Sequence, residues 1–131
     1  MTNDEIRDFI KQAIEENRVM LFMKGTPDQP ACGFSMRTSA ALNALGVQYA
    51  ALDILPDPRI RQELSALSNW PTIPQLFVDK ELVGGSDIII EMYETGELAE
   101  LLGVEQPEAV EAAPEPEPVR QAPIGLENRL D

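Results

Sequence analysis

A single α/β domain with a mixed central sheet flanked by helices is predicted by three observations. Apolar residues recur alternately at helical and strand spacing over residues 1–103. The segments follow the order αβαβαββα, and the composition breaks near residue 104. With 131 residues and 44% apolar content, the chain suffices for one core but not two.

Ile6, Phe9, Ile10, Ala13 and Ile14 repeat at helical spacing behind Thr2 or Asn3 as N-cap, so a first helix is expected over residues 4–16. The apolar run Val19 to Met23 is a short strand. A second helix opens near Ser35, turns Ala41, Leu42 and Leu45 inward and ends at Gly46, a residue that tolerates the left-handed cap. Gln48 to Asp53 is expected to be the next strand. Asp57-Pro58 reads as an N-cap with proline in the first turn, ahead of a third helix with Ile60, Leu64 and Leu67 as its buried stripe. Gln75 to Val78 and Glu81 to Val83 form a hairpin across Asp79-Lys80. Ser86 or Asp87 caps a last helical region carrying Ile88, Ile89, Met92 and Tyr93, broken at Gly96 before Leu98, Leu101 and Leu102. A βαβ unit, a helix, a hairpin and a helix together predict a thioredoxin-like fold with a mixed four-stranded sheet.

From Val104 to Asp131 the chain carries five of its eleven prolines and seven acids against two arginines, which predicts a disordered acidic tail behind a domain of residues 1–103. Ile124, Leu126 and Leu130 bring branched aliphatics back at its end, either as a docking segment or as chance apolar residues in an unstructured terminus.

Ten basic against 23 acidic residues leave a net charge of −13, which repels phosphate backbones and anionic lipid and argues against nucleic acid or a membrane as partner. The polar, acidic start Met1 to Glu5 lacks the basic and apolar pattern of a secretion signal. Cys32 is the only cysteine, and there is no histidine. That inventory excludes a Cys/His zinc site, a Cys–His or Ser–His nucleophile pair and an internal disulfide. A lone thiol suits a reducing compartment, so a cytoplasmic location is expected.

The chemistry gathers in three loops that the topology brings to one edge of the sheet. Lys24 to Ser35 joins a strand end to a helix start at Cys32, where free backbone N–H groups, the helix dipole and the Lys24 charge favour a thiolate. A buried structural cysteine is the alternative, against which stand the flanking Ala31 and Gly33 in a loop. Trp70-Pro71-Thr72-Ile73-Pro74 leads into a strand. Ile73-Pro74 is a candidate cis bond that would turn the Ile73 backbone outward to meet an extended peptide, although the local sequence leaves cis and trans both open. Gly84-Gly85-Ser86-Asp87 leaves a strand and opens a helix, so its amides either hold a carboxylate or simply cap.

Met23-Lys24-Gly25-Thr26-Pro27, Cys32-Gly33-Phe34-Ser35, Asp57-Pro58-Arg59-Ile60-Arg61, Trp70-Pro71-Thr72-Ile73-Pro74-Gln75-Leu76 and Gly84-Gly85-Ser86-Asp87, in this order, resemble the monothiol glutaredoxins of the CGFS type. The resemblance covers roughly residues 4–103. It implies that Cys32 is both the iron ligand and the site of any mixed disulfide with glutathione. By the same resemblance, Lys24 and Arg61 hold the glycine carboxylate of glutathione, the Ile73 backbone pairs with its cysteinyl part, and Ser86 and Asp87 receive its γ-glutamyl end.

Ser35 stands where a dithiol relative has its resolving cysteine, and a hydroxyl cannot attack a disulfide. A [2Fe–2S] cluster needs four ligands, usually thiolates, and one chain offers one. Two Cys32 sulfurs and two glutathione thiolates complete the count in a homodimer, which the resemblance also implies, and a cluster held partly by a diffusible tripeptide suits a carrier serving apo iron–sulfur proteins. Two rival functions remain: a glutathione-dependent thiol–disulfide oxidoreductase, and an iron-status adaptor paired with a BolA-like protein, a partner that the resemblance implies.

Overall fold

A computed structural model describes residues 1–105; of the tail expected to be disordered from Val104 on, residues 106–131, with the terminal aliphatics, lie outside that range. The elements run α1 (Asn3–Glu16), β1 (Val19–Met23), α2 (Gly33–Leu45), β2 (Ala50–Asp53), α3 (Pro58–Ser68), β3 (Gln75–Val78), β4 (Glu81–Gly84), α4 (Ser86–Thr95) and α5 (Glu97–Leu102). This is the expected order, with Gly96 dividing the last helical region in two.

The ends of the helices obey local chemistry. Thr2 and Glu5 form a capping box, the Thr2 hydroxyl accepting the Glu5 N–H at 3.1 Å and the Glu5 carboxylate accepting the Thr2 N–H at 2.7 Å. Asp57 caps α3 through the Arg59 N–H at 3.0 Å, with Pro58 in the first turn. Gly46 closes α2 in the left-handed region at φ 71°. At α4 the cap is Gly85 rather than Ser86 or Asp87, and no side chain caps the helix. Ser86 and Asp87 thereby fall in the first turn, where their amides are free of intrahelical duty.

The strand order is β2-β1-β3-β4, with β1 and β2 parallel and the other two pairs antiparallel. Central β1 is buried at every position, and its side chains alternate between two cores. Val19, Leu21 and Met23 pack with Ala41, Leu42 and Leu45 of α2 and with α4 and α5. Met20 and Phe22 face Ile6 and Ile10 of α1, Leu64 of α3 and Phe77, whose ring meets Phe22 edge-on at 5.7 Å. Ile60 and Leu67 are only partly buried against this cluster. Phe9, expected in the α1 stripe, is 43% exposed, because α3 covers the α1 face centred on Ile6 and Ile10 and leaves Phe9 at its margin.

Strand β2 begins at Ala50, two residues later than expected, where pairing to Met20 starts. Val104, at the compositional break, still packs on the first core and donates its N–H to the Ala99 carbonyl at 3.0 Å. Among the described residues no helix is long and apolar enough to cross a membrane.

Candidate functional site

The loop leaving β1 is held closed by its own backbone. Ala31 N–H bonds the Lys24 carbonyl at 2.9 Å, Thr26 and Gln29 exchange N–H···O bonds at 3.1 and 3.2 Å, and Gly25 bridges Pro30. Gly25 sits at φ +85°, where a Cβ would run into the Gln29 carbonyl oxygen and come within 2.6 Å of the Ala31 nitrogen. Only glycine lets the two arms of this loop meet.

The closed loop delivers Cys32 to the N-cap of α2 in extended backbone, φ −152°. Its Sγ accepts the Ser35 N–H at 3.4 Å and lies 3.4 Å from the Ser35 Oγ. That hydroxyl is fully buried and also accepts the Lys24 N–H at 3.0 Å. It keeps one proton to donate when the sulfur is a thiolate. Burial alone would push the Cys32 thiol up. The Ser35 hydroxyl, the Ser35 and Phe34 N–H groups and the Lys24 charge together outweigh burial and hold it below the ordinary thiol value. Cys32 is half-buried, not a structural core cysteine. The sequence reading credited Lys24 and the helix terminus but gave Ser35 no part in holding the sulfur, because the contact depends on side-chain orientation.

The Ile73–Pro74 bond is cis. Gln75, wholly buried at the start of β3, ties the preceding loop together by donating from Nε2 to the Trp70 carbonyl at 3.0 Å and the Thr72 carbonyl at 3.2 Å. Opposite this loop stands the start of α4. Between them opens a cleft of about 180 Å³, lined by Trp70, Thr72 and Ile73 on one side, Gly85, Ser86, Asp87 and Ile88 on the other, and Phe34 next to the thiol turn. A Cβ on Gly85 would sit 3.2 Å from the Trp70 Nε1 and 3.4 Å from the Pro74 carbonyl oxygen, so the glycine allows the two walls to approach.

The structure thus collects Ile73, Ser86 and Asp87 in one cleft and places Cys32 and Lys24 in the adjoining loop, with Phe34 joining the two. Arg61 is exposed on α3 and reaches the Pro71 carbonyl of the same loop at 3.4 Å, without being part of the cleft lining. Phe34, 60% exposed, Trp70 and Thr72 line the site although the sequence reading gave them no role. The available signal was a large aromatic immediately behind the thiol, where no core stripe required one. Among the described residues no group of three or more His, Cys, Asp or Glu side chains is placed to hold a metal ion within one chain.

The four-stranded mixed sheet flanked by helices, with a thiol at a helix N-terminus beside a cleft, is a thioredoxin-like architecture, and the family model described as Glutaredoxin matches residues 19–83. A protein of Synechocystis sp. named as an uncharacterized, ycf64-like monothiol glutaredoxin is 52% identical over 102 residues, covering 78% of this chain and 95% of the relative. Glutaredoxin 4 of Escherichia coli K12 is 55% identical over 93 residues, covering 71% and 81% respectively. The solution structure of reduced poplar apo GrxS14 superposes with a TM-score of 0.69 at 38% identity over 79% of this chain and 95% of that one. The chain belongs to the glutaredoxin family, in its monothiol branch.

Proposed function

We propose that the protein carries a [2Fe–2S] cluster as cargo between two copies of itself, each copy contributing Cys32 and one bound glutathione, and hands it to apo iron–sulfur proteins. The observation that carries this reading is the turn at Cys32: a single half-exposed thiol held toward the thiolate, with a buried hydroxyl where a second sulfur would stand. One ligand per chain leaves three to be found elsewhere, and a homodimer with two tripeptide thiolates supplies them.

In this assignment Lys24 and Arg61 bind the glycine carboxylate of glutathione. The Ile73 backbone pairs with its cysteinyl unit, while Ser86 and Asp87 offer backbone N–H groups at the start of α4 to the γ-glutamyl carboxylate and Asp87 a side-chain carboxylate to its ammonium group. Local cations are necessary because the chain's net charge repels an anionic peptide. We assign this function to residues 1–103 and the protein to the reducing cytoplasm.

The lowered Cys32 thiol supports a second reading as a glutathione-dependent oxidoreductase. There the Cys32 thiolate attacks the glutathione sulfur of a mixed disulfide and releases the protein thiol. A free glutathione thiolate then attacks the Cys32–glutathione bond, regenerating Cys32 and leaving oxidised glutathione. A BolA-like protein in place of the second copy would make the complex an iron-status adaptor.

Anaerobic reconstitution with iron and sulfide, with and without glutathione, followed by visible spectroscopy and sizing, separates these readings. A glutathione-dependent [2Fe–2S] spectrum on a dimer is expected. Turnover in a glutathione-linked disulfide assay without any cluster spectrum would replace carriage by the oxidoreductase reading.

A further inference from the structure

Asp53 closes β2, and its register partner is Met23, the last residue of β1. The next residue is anchored to the same place, Ile54 N–H bonding the Met23 carbonyl at 2.9 Å. From this position the Asp53 Oδ1 accepts two backbone protons, from Leu55 at 2.9 Å and from Gly25 at 2.9 Å, the second across 28 residues of chain. Gly25 has no side chain of its own to pack and stands in the left-handed region, so this bond and the Pro30 bridge are what fix it.

Directly before Gly25, Lys24 has both backbone groups engaged in the thiol turn. Its carbonyl receives Ala31, the residue preceding Cys32, and its N–H bonds the Ser35 hydroxyl that lies against the Cys32 sulfur. Hydrogen bonds at either end, joined by the Lys24–Gly25 peptide link, therefore connect Asp53 to Ser35 and Cys32.

We propose that Asp53 is the positioning residue of the thiol site, its carboxylate holding the Gly25 amide so that Lys24, Ser35 and Cys32 keep their mutual arrangement. The inference rests on Cys32 being the functional thiol and is independent of which cargo that thiol binds. A side-chain carbonyl-type oxygen at this position suits the task because its two lone pairs let one atom serve both donors. The negative charge itself would discourage a thiolate nearby, so the benefit must come through geometry.

Asp53→Ala and Asp53→Asn, compared with wild type, test this by three readouts: the rate of Cys32 alkylation by iodoacetamide at pH 7, glutathione affinity by calorimetry, and melting temperature. Removing the charge alone would speed alkylation. Asp53→Ala is instead expected to slow it about three- to tenfold and to weaken glutathione binding by a similar factor, whereas Asp53→Asn, whose Oδ1 accepts the same two protons, stays within about twofold of wild type. A lower melting temperature in Asp53→Ala with alkylation and glutathione affinity unchanged would reduce the residue to a structural role and overturn the proposal. So would Asp53→Asn failing at the site as badly as Asp53→Ala. If Asp53→Ala does not fold, amide hydrogen exchange of Gly25 in the wild type decides: marked protection supports the anchor, and exchange at the rate of a free loop amide refutes it. Slowed alkylation in Asp53→Ala alongside failed cluster reconstitution in the wild type would keep this inference and remove cluster carriage.

Discussion

The loops at the two ends of β1 solve opposite problems. At its C-terminal end, residues 24–31 are cross-bonded from within, anchored by Asp53 from β2 and built around a glycine that no other residue can replace. At its N-terminal end lies the β3–β4 turn, where Asp79 N–H bonds the Arg18 carbonyl at 2.8 Å and an exposed Arg18–Asp79 ion pair spans 3.3 Å. That turn places Asp79 at φ 51° and Lys80 at φ 73°, both in the left-handed region, without a glycine. Strain is thus tolerated where the chain has only to reverse, and designed out where the chain has to aim a thiol.

Removing the aimed group has the largest expected effect. Cys32→Ser should abolish alkylation by iodoacetamide and, on the proposed function, all cluster binding. Its unfolding free energy, read from denaturant midpoints, should change by less than about 0.5 kcal/mol, because serine is itself a favoured N-cap for α2. A large loss of stability would mean that the thiol serves the fold, and the contrast between the loops would fail. Gly25→Ala comes next. The added Cβ meets backbone rather than a flexible side chain, so urea denaturation should show a loss of about 2–4 kcal/mol.

Ser35→Ala removes the shared acceptor and leaves the Lys24 N–H without a partner in a half-buried place, at a cost of about 1–3 kcal/mol. It should also raise the pH at which Cys32 alkylation reaches half its maximum, since the hydroxyl holds the thiol down. The linkage has a definite sign. A thiol whose folded value lies below its unfolded one adds stability that is full above the unfolded value and is lost as pH falls through the folded value. The stability of wild type relative to Cys32→Ser should accordingly rise with pH across that window, as read from denaturant midpoints. The smallest effect belongs to the opposite loop: Lys80→Gly relieves a positive φ and should stabilise the protein by about 1 kcal/mol, with alkylation unchanged. Loss of stability there would show that the turn residue is held by contacts that glycine lacks.

Much of the fold was legible in the sequence because its signals are local. The period of apolar residues located the helices and strands of the described residues, and Thr2 or Asn3, Asp57 and Gly46 marked helix ends, with Thr2 the cap observed, because such caps depend only on residues one to four positions away. Errors arose where a second element decides. Phe9 satisfies the helical period yet remains exposed because α3 covers a narrower face, and the start of β2 waits for a pairing partner on β1. Glu63 is nearly buried although a carboxylate on an amphipathic helix reads as solvated. Arg7 from α1 meets it at 2.7 Å, a partner 56 residues away in the chain.

By itself the sequence determined that Cys32 can form neither a disulfide within its own chain nor a Cys–His pair, since the chain has a single cysteine and no histidine. It also determined the motifs and their order, because turns, caps and proline positions follow from neighbouring residues. Tertiary structure alone decided how the thiol is held. The Ser35 hydroxyl lies against Sγ, the Asp53 carboxylate fixes Gly25, and the Trp70 loop faces the start of α4 across the cleft. These are contacts between residues whose separation along the chain carries no information about their distance in space. They exist only once the parallel pairing of β1 with β2 and the antiparallel pairing of β1 with β3 have brought the ends of those strands together.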